Sequence, residues 1–179
     1  MMKALLVIDM LKDFILPDGK LSVGSAGMAI VPHIHRAMEK SRQLGEQLIF
    51  ICDSHRADDA EFEIFPPHCI GRSGGDEIID ELSPQETDLV IYKRRYSAFF
   101  ATELDLTLRE LGVTELTLTG VCTNICVLYT AADARNLGYR VNVIREAVTS
   151  FDQDAHDFAL AELEKTLGVT IISSASQGR

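Results

Sequence analysis

The sequence predicts an α/β fold, a three-layer αβα sandwich on about six parallel strands, and three observations predict it. Short apolar runs alternate with helix-like stretches along the whole chain. The runs are apolar at successive positions, as strands covered on both faces must be. Four of the helical stretches stop at a glycine, which enters the left-handed turn at a helix end without steric cost. A chain of 179 residues suits one core, so residues 1–179 are read as a single domain.

The first run, residues 4–8, ends at Asp9. A helix is expected to start at Pro32, which suits a first helical position, and to stop near Gly45. The second run, residues 48–52, ends at Asp53, and the third, residues 89–92, ends at Lys93. Thr102, with Asp105 three residues on, is a weak capping-box match for a helix stopping at Gly112. Residues 116–121 run into Thr119-Gly-Val-Cys-Thr-Asn-Ile-Cys126-Val, where Thr123 is the expected N-cap of a helix reaching Gly138. Residues 141–144, a helix from about Asp154 to Gly168, and residues 169–172 complete the order.

Hydrophobic residues make up 46% and charged residues 25%, the balance of a soluble globular chain. A net charge of -10 argues against nucleic acid or an anionic membrane as a partner. No apolar stretch approaches a bilayer span, and Met1-Met2-Lys3 leads straight into a strand without a signal-peptide pattern. Cys52, Cys69, Cys122 and Cys126 lack the spacing of a disulfide scaffold, so reduced thiols and a cytoplasmic protein are expected.

Asp9, Asp53 and Lys93 each follow a strand, and Cys126 opens the helix after the fourth. In open parallel sheets, sites form outside the carboxyl ends of the strands. Cys126 in a first helical turn would feel unpaired N–H groups and the positive dipole end, which favour a thiolate. Lys93 would lower the thiol pKa further, and Asp9 could take the thiol proton and return it to a leaving amine. Singly, each has a plainer reading: a small buried hydrophobe, a capping carboxylate, a solvated cation in Lys93-Arg94-Arg95. Their convergence on one edge is what those readings leave unexplained.

A second group is Asp53-Ser54-His55 with Glu61, Glu63 and His68 further on. Residues two apart in extended chain point the same way, and imidazoles with carboxylates suit zinc, iron or manganese. The plain alternative is a solvated acidic loop. His33 and His35 fall on nearly opposite sides of a helix and read as surface or packing residues, as does His156.

Asp9 in Val-Ile-Asp-Met, Lys93 in Lys-Arg-Arg-Tyr-Ser-Ala-Phe, and Cys126 in its Cys loop resemble the isochorismatase-like cysteine hydrolases, nicotinamidases above all. The resemblance spans residues 3–172 and implies a Rossmann-like six-stranded sheet in the order 3-2-1-4-5-6. It implies hydrolysis of nicotinamide, with Cys126 as nucleophile, Asp9 as base and acid, and Lys93 as third member. It implies a cis peptide at Val121–Cys122 and an oxyanion hole from the backbone N–H groups of Cys122 and Cys126. One divalent ion, zinc first and iron or manganese next, would sit on Asp53, His55, His68 and Glu61, with Glu63 the competing carboxylate. Phe14, Phe65 and Tyr96 would sandwich the substrate ring. Relatives of this kind are usually homo-oligomers.

Asn124 stands where many nicotinamidases carry Asp, and the short stretch 69–88 implies a reduced lid. Metal-free members of the superfamily act on carbamoyl, ureido or maleamate-type amides. A non-enzymatic metal-binding domain is the reading of a different class, and the intact Asp9, Lys93 and Cys126 count against it.

Overall fold

The computed structural model of the chain describes residues 2–173. Strands β1 (Met2–Ile8), β2 (Gln47–Asp53), β3 (Leu89–Lys93), β4 (Val113–Val121), β5 (Arg140–Thr149) and β6 (Thr170–Ile172) form one sheet. All pairings are parallel, in the order β3-β2-β1-β4-β5-β6. The helices are α1 (Lys12–Ile15), α2 (Ser25–Gln43), α3 (Leu104–Glu110), α4 (Leu128–Asn136) and α5 (Gln153–Lys165).

Alternation along each strand divides the core into two layers. Ala4, Leu6 and Ile8 of β1 pack with Leu104 and Leu108 of α3, Ala131 and Ala134 of α4, and Leu160 and Leu163 of α5. Leu5 and Val7 turn the other way, onto Phe14 and Ile15 of α1 and Ile30, Val31, Ile34 and Met38 of α2. Each such large apolar side chain, fully buried, contributes roughly 1.5–3 kcal/mol. The helices therefore cover both faces and leave the strand ends as the accessible edge. No helix among the described residues is long and apolar enough to cross a membrane.

Several boundaries differ from the sequence expectation. α2 begins at Ser25, so Pro32 lies inside it. Its buried stripe extends back to Gly27, where a Cβ would stand 2.6 Å from Val23, and packing outweighs the backbone hydrogen bond that Pro32 cannot make. α3 begins at Leu104; Asp105 pairs with Arg109 and accepts from the Tyr139 hydroxyl at 2.7 Å rather than closing a capping box. α5 starts at Gln153, within one residue of the expected start, and Asp152 caps it, its Oδ1 accepting from Ala155 N at 2.9 Å. β5 continues to Thr149, past Arg145 and Glu146, whose charges ended the apolar run. Residues 69–88 fold back onto the start of α1, where Lys12 N donates to Glu77 O and Ile79 N to Met10 O.

Candidate active site

Asp53 and Lys93 are the last residues of β2 and β3 and are register partners across the ladder. Asp9 follows β1 in a left-handed conformation, φ 54°. Its Oδ1 accepts from Asp53 N at 3.0 Å, tying the two strand ends together. On the other side of β1, β4 must pass very close. A Cβ on Gly120 would lie 1.9 Å from the Ile8 carbonyl oxygen, and φ there is 108°, so only glycine brings the Cys loop this near Asp9. The Val121–Cys122 peptide is cis.

Lys93 is the centre of the cluster. Its Nζ lies 2.9 Å from Asp9 Oδ2, donates to Asp53 Oδ1, and donates to Cys126 Sγ at 3.4 Å. All four side chains are buried. Burial pushes Asp9 up to about 6, with the Asp53 charge adding to the effect and Lys93 opposing it. Burial alone would depress Lys93, but the carboxylates of Asp53 and Asp9 hold it well above its ordinary value, so it stays a cation. Burial also drives the Cys126 thiol well above its ordinary value; Lys93 pulls it down, while Asp9 and Asp53 add to the rise.

The expected lowering of the Cys126 pKa is therefore corrected. Burial and the two carboxylates outweigh Lys93 at the sulfur and favour the thiol form. The helix-end expectation also changes. Thr123–Val127 is a π-turn leading into α4, with Cys122 as the cap residue and no side-chain cap. Thr123 is fully buried, and its Oγ1 meets His156 Nδ1 at 2.8 Å instead of capping backbone. His33 and His35 lie on α2 beside Arg36 and Glu39, away from the cluster.

A second cluster adjoins the first through Asp53. A parallel bridge between His55 and Ile70 brings the strand exit beside the loop that carries His68. His55 Nε2 lies 3.5 Å and His68 Nε2 3.9 Å from Asp53 Oδ2. One ligand atom each from Asp53, His55 and His68 fall within 4.8 Å of one another. Glu61 Oε1 is 3.9 Å from His55 Nε2, whereas Glu63 is exposed, so Glu61 is the carboxylate that reaches the group.

The donor chemistry fits a divalent ion. His55 Nε2 and Glu61 Oε2 are buried with no hydrogen-bond partner. His68 Nδ1 donates to the Pro66 carbonyl at 2.8 Å, which leaves Nε2 as the free lone pair. Burial lowers the His68 pKa, keeping that ring neutral. Burial would lower His55 as well, but Asp53, Glu61 and Asp59 outweigh it and raise the ring, so a proton competes there with a metal.

No motif or spacing marked Asp59. It is buried, accepts from Arg94 at 2.7 Å, from Arg95 at 3.0 Å and from Glu61 N at 3.1 Å, and lies 3.3 Å from His55 Nδ1. One carboxylate thus sits against the His55 ring, accepts from the Glu61 backbone and pairs with both arginines that follow Lys93. An Asp among the acidic residues 58–63 has no spacing to distinguish it; its partners come from 35 and 36 residues away.

Cys126, Asp9, Asp53, Glu61 and His68 line one small cleft. Phe14, Phe65 and Tyr96 line it, joined by Ile125 of the Cys loop and by Phe151, which no motif marked. Phe14 and Phe65 lie 5.3 and 6.3 Å from the His68 ring, and Tyr96 meets Phe65 edge-on at 6.5 Å. The walls are apolar and aromatic, with the thiol and the imidazole group converging at the base.

The chain matches the isochorismatase domain family over residues 3–176. It is 40% identical to the isochorismatase family protein PncA of Bacillus subtilis, over 96% of this chain and 99% of that one. It is 32% identical to the ureidoacrylate amidohydrolase RutB of Yersinia enterocolitica, over 92% and 83%. Its fold superposes on the pyrazinamidase/nicotinamidase of Streptococcus mutans with a TM-score of 0.90 at 41% identity, covering 95% and 99% of the two chains.

Proposed function

The chain belongs to the isochorismatase-like cysteine-hydrolase family, amidohydrolases of small amides, and on that premise we propose that it converts nicotinamide to nicotinate and ammonia. Asp9, with its pKa raised towards 6, takes the Cys126 proton as the sulfur adds to the amide carbonyl. Lys93 holds the negative charge of thiolate and carboxylates together. The backbone N–H groups of Cys122 and Cys126 receive the developing oxyanion. The C–N bond then breaks as Asp9 protonates the amide nitrogen, ammonia departs, and a thioester remains on Cys126. Asp9 next takes a proton from water, whose oxygen attacks the thioester and releases the acid and the thiol.

Asp53, His55, His68 and Glu61 would hold one divalent ion, zinc first and iron or manganese next. Bound there, it would supply a Lewis-acid contact for the pyridine nitrogen. The observation that carries the pyridine-amide reading is this imidazole–carboxylate group opening onto the same aromatic cleft as Cys126. Ammonia release measured across nicotinamide, pyrazinamide, ureidoacrylate, maleamate and N-carbamoylsarcosine tests it. The two pyridine-type amides should turn over at least tenfold faster in kcat/KM.

A second reading, a linear ureido, carbamoyl or maleamate-type amide, is favoured by the similarity to a ureidoacrylate amidohydrolase. Preference for those substrates in the same assay would replace the first reading. We also expect a cytoplasmic homo-oligomer acting on a small molecule; light scattering that gives a monomer would count against the assembly.

A further inference from the structure

The turn that carries Cys126 is tied to the segment leading from β5 into α5. Thr123 Oγ1 and His156 Nδ1 form a 2.8 Å hydrogen bond between the turn and α5. The next residue, Asn124, accepts from the Ser150 hydroxyl through Oδ1. Within the turn, the Cys122 carbonyl accepts from Ile125 N at 3.0 Å and from Val127 N at 3.2 Å, the second being the wide ring of a π-turn. A π-turn accommodates one more residue per ring than an α-helix and is rare outside sites where tertiary contacts maintain it. Thr123 is fully buried, so its hydroxyl has no water to replace a lost partner. His156 does not line the cleft.

We infer that His156 is a positioning residue for the hydrolysis: through Thr123 it holds the π-turn in the register that sets the Cys126 sulfur beside Lys93 and Asp9. The inference rests on the reading of Cys126 as nucleophile and gives a function to a histidine that the sequence alone marked as packing. An asparagine at 156 can place an amide donor or acceptor where Nδ1 stands; a leucine cannot.

The test compares His156→Leu, Thr123→Val and His156→Asn with the parent protein in two measurements. The first is ammonia release from the best amide of the panel above. His156→Leu and Thr123→Val should each lower kcat about tenfold with KM changed less than twofold, and His156→Asn should recover most of the loss. The second is the pH profile of Cys126 alkylation by iodoacetamide, which needs no substrate. The two disruptive variants should shift it down by at least half a pH unit as the turn loosens and water reaches the sulfur, while His156→Asn should overlay the parent. Thr123→Val is close to isosteric and keeps the test alive where His156→Leu fails to fold. A lowered melting temperature with unchanged kcat and alkylation profile would overturn the inference. A parent protein inactive on every amide would instead overturn the proposed function, and the alkylation profiles would still decide the role of His156.

Discussion

Lys93 and Asp53 face each other across the β2–β3 ladder, and the lysine ammonium hydrogen-bonds Oδ1 of Asp53 while Oδ2 looks towards both imidazoles. One carboxylate therefore belongs to the thiol cluster and to the imidazole cluster at once. Asp53→Ala should abolish turnover and metal retention together. It also leaves Lys93 buried with one counter-charge fewer, and breaking a buried pair in this way costs roughly 3–5 kcal/mol. Chemical denaturation, metal analysis and ammonia release on the same preparation check all three. Retention of metal with only turnover lost would separate the clusters.

The raised pKa of Asp9 sets a pH dependence. The base form exists above about 6, so kcat/KM should fall towards tenfold per pH unit below that value. The sign for stability is opposite. A carboxyl whose folded pKa exceeds its unfolded value, about 3.9, gives a stabilisation that is full below the unfolded value and lost as pH rises through the folded one. Asp9→Asn should thus be inactive, and its stability relative to the parent should be more favourable at pH 8 than at pH 4. Denaturant midpoints at both pH values decide this.

Chelation or His68→Ala should raise KM for a pyridine amide by tenfold or more while leaving Cys126 alkylation nearly unchanged. Zinc affinity, followed by direct titration of the metal-free protein, should weaken as pH falls. The decline should begin above the ordinary histidine value of about 6.5, because carboxylates hold His55 up. Asp59→Ala should weaken zinc binding by about 10–100-fold, the usual range for losing the partner that orients a ligand. Unchanged affinity in that variant would show that Asp59 serves the arginines alone.

Gly120→Ala should fail to give folded protein or should melt far below the parent. Its Cβ would stand inside the van der Waals radius of the Ile8 carbonyl, between two central strands that cannot move apart without breaking their ladder. A soluble, active variant would show that the sheet can yield there.

The strands and the residues at their carboxyl ends were legible in the sequence because burial on both faces writes itself as uninterrupted apolar runs. Asp9, Asp53 and Lys93 stood out as polar groups at the end of such runs, and Cys126 as a thiol in the following turn. Helix starts were less legible, since Pro32 and Thr102 have strong local preferences that the packing of α2 and α3 overrides. The strand order came only through the family resemblance, because chain-distant pairing leaves no mark on local periodicity, and the place of Asp53 in both clusters came only from the structure. The resemblance put Glu61 before Glu63, and tertiary structure supplies the physical difference by burying one and leaving the other in solvent. Tertiary structure alone recruited Asp59, Phe151 and His156, whose neighbours in the site lie far along the chain. It also reversed the expected direction of the Cys126 pKa shift, since a thiol pKa depends on how much water the fold removes and which carboxylates it places nearby, and neither quantity is local to the Cys loop.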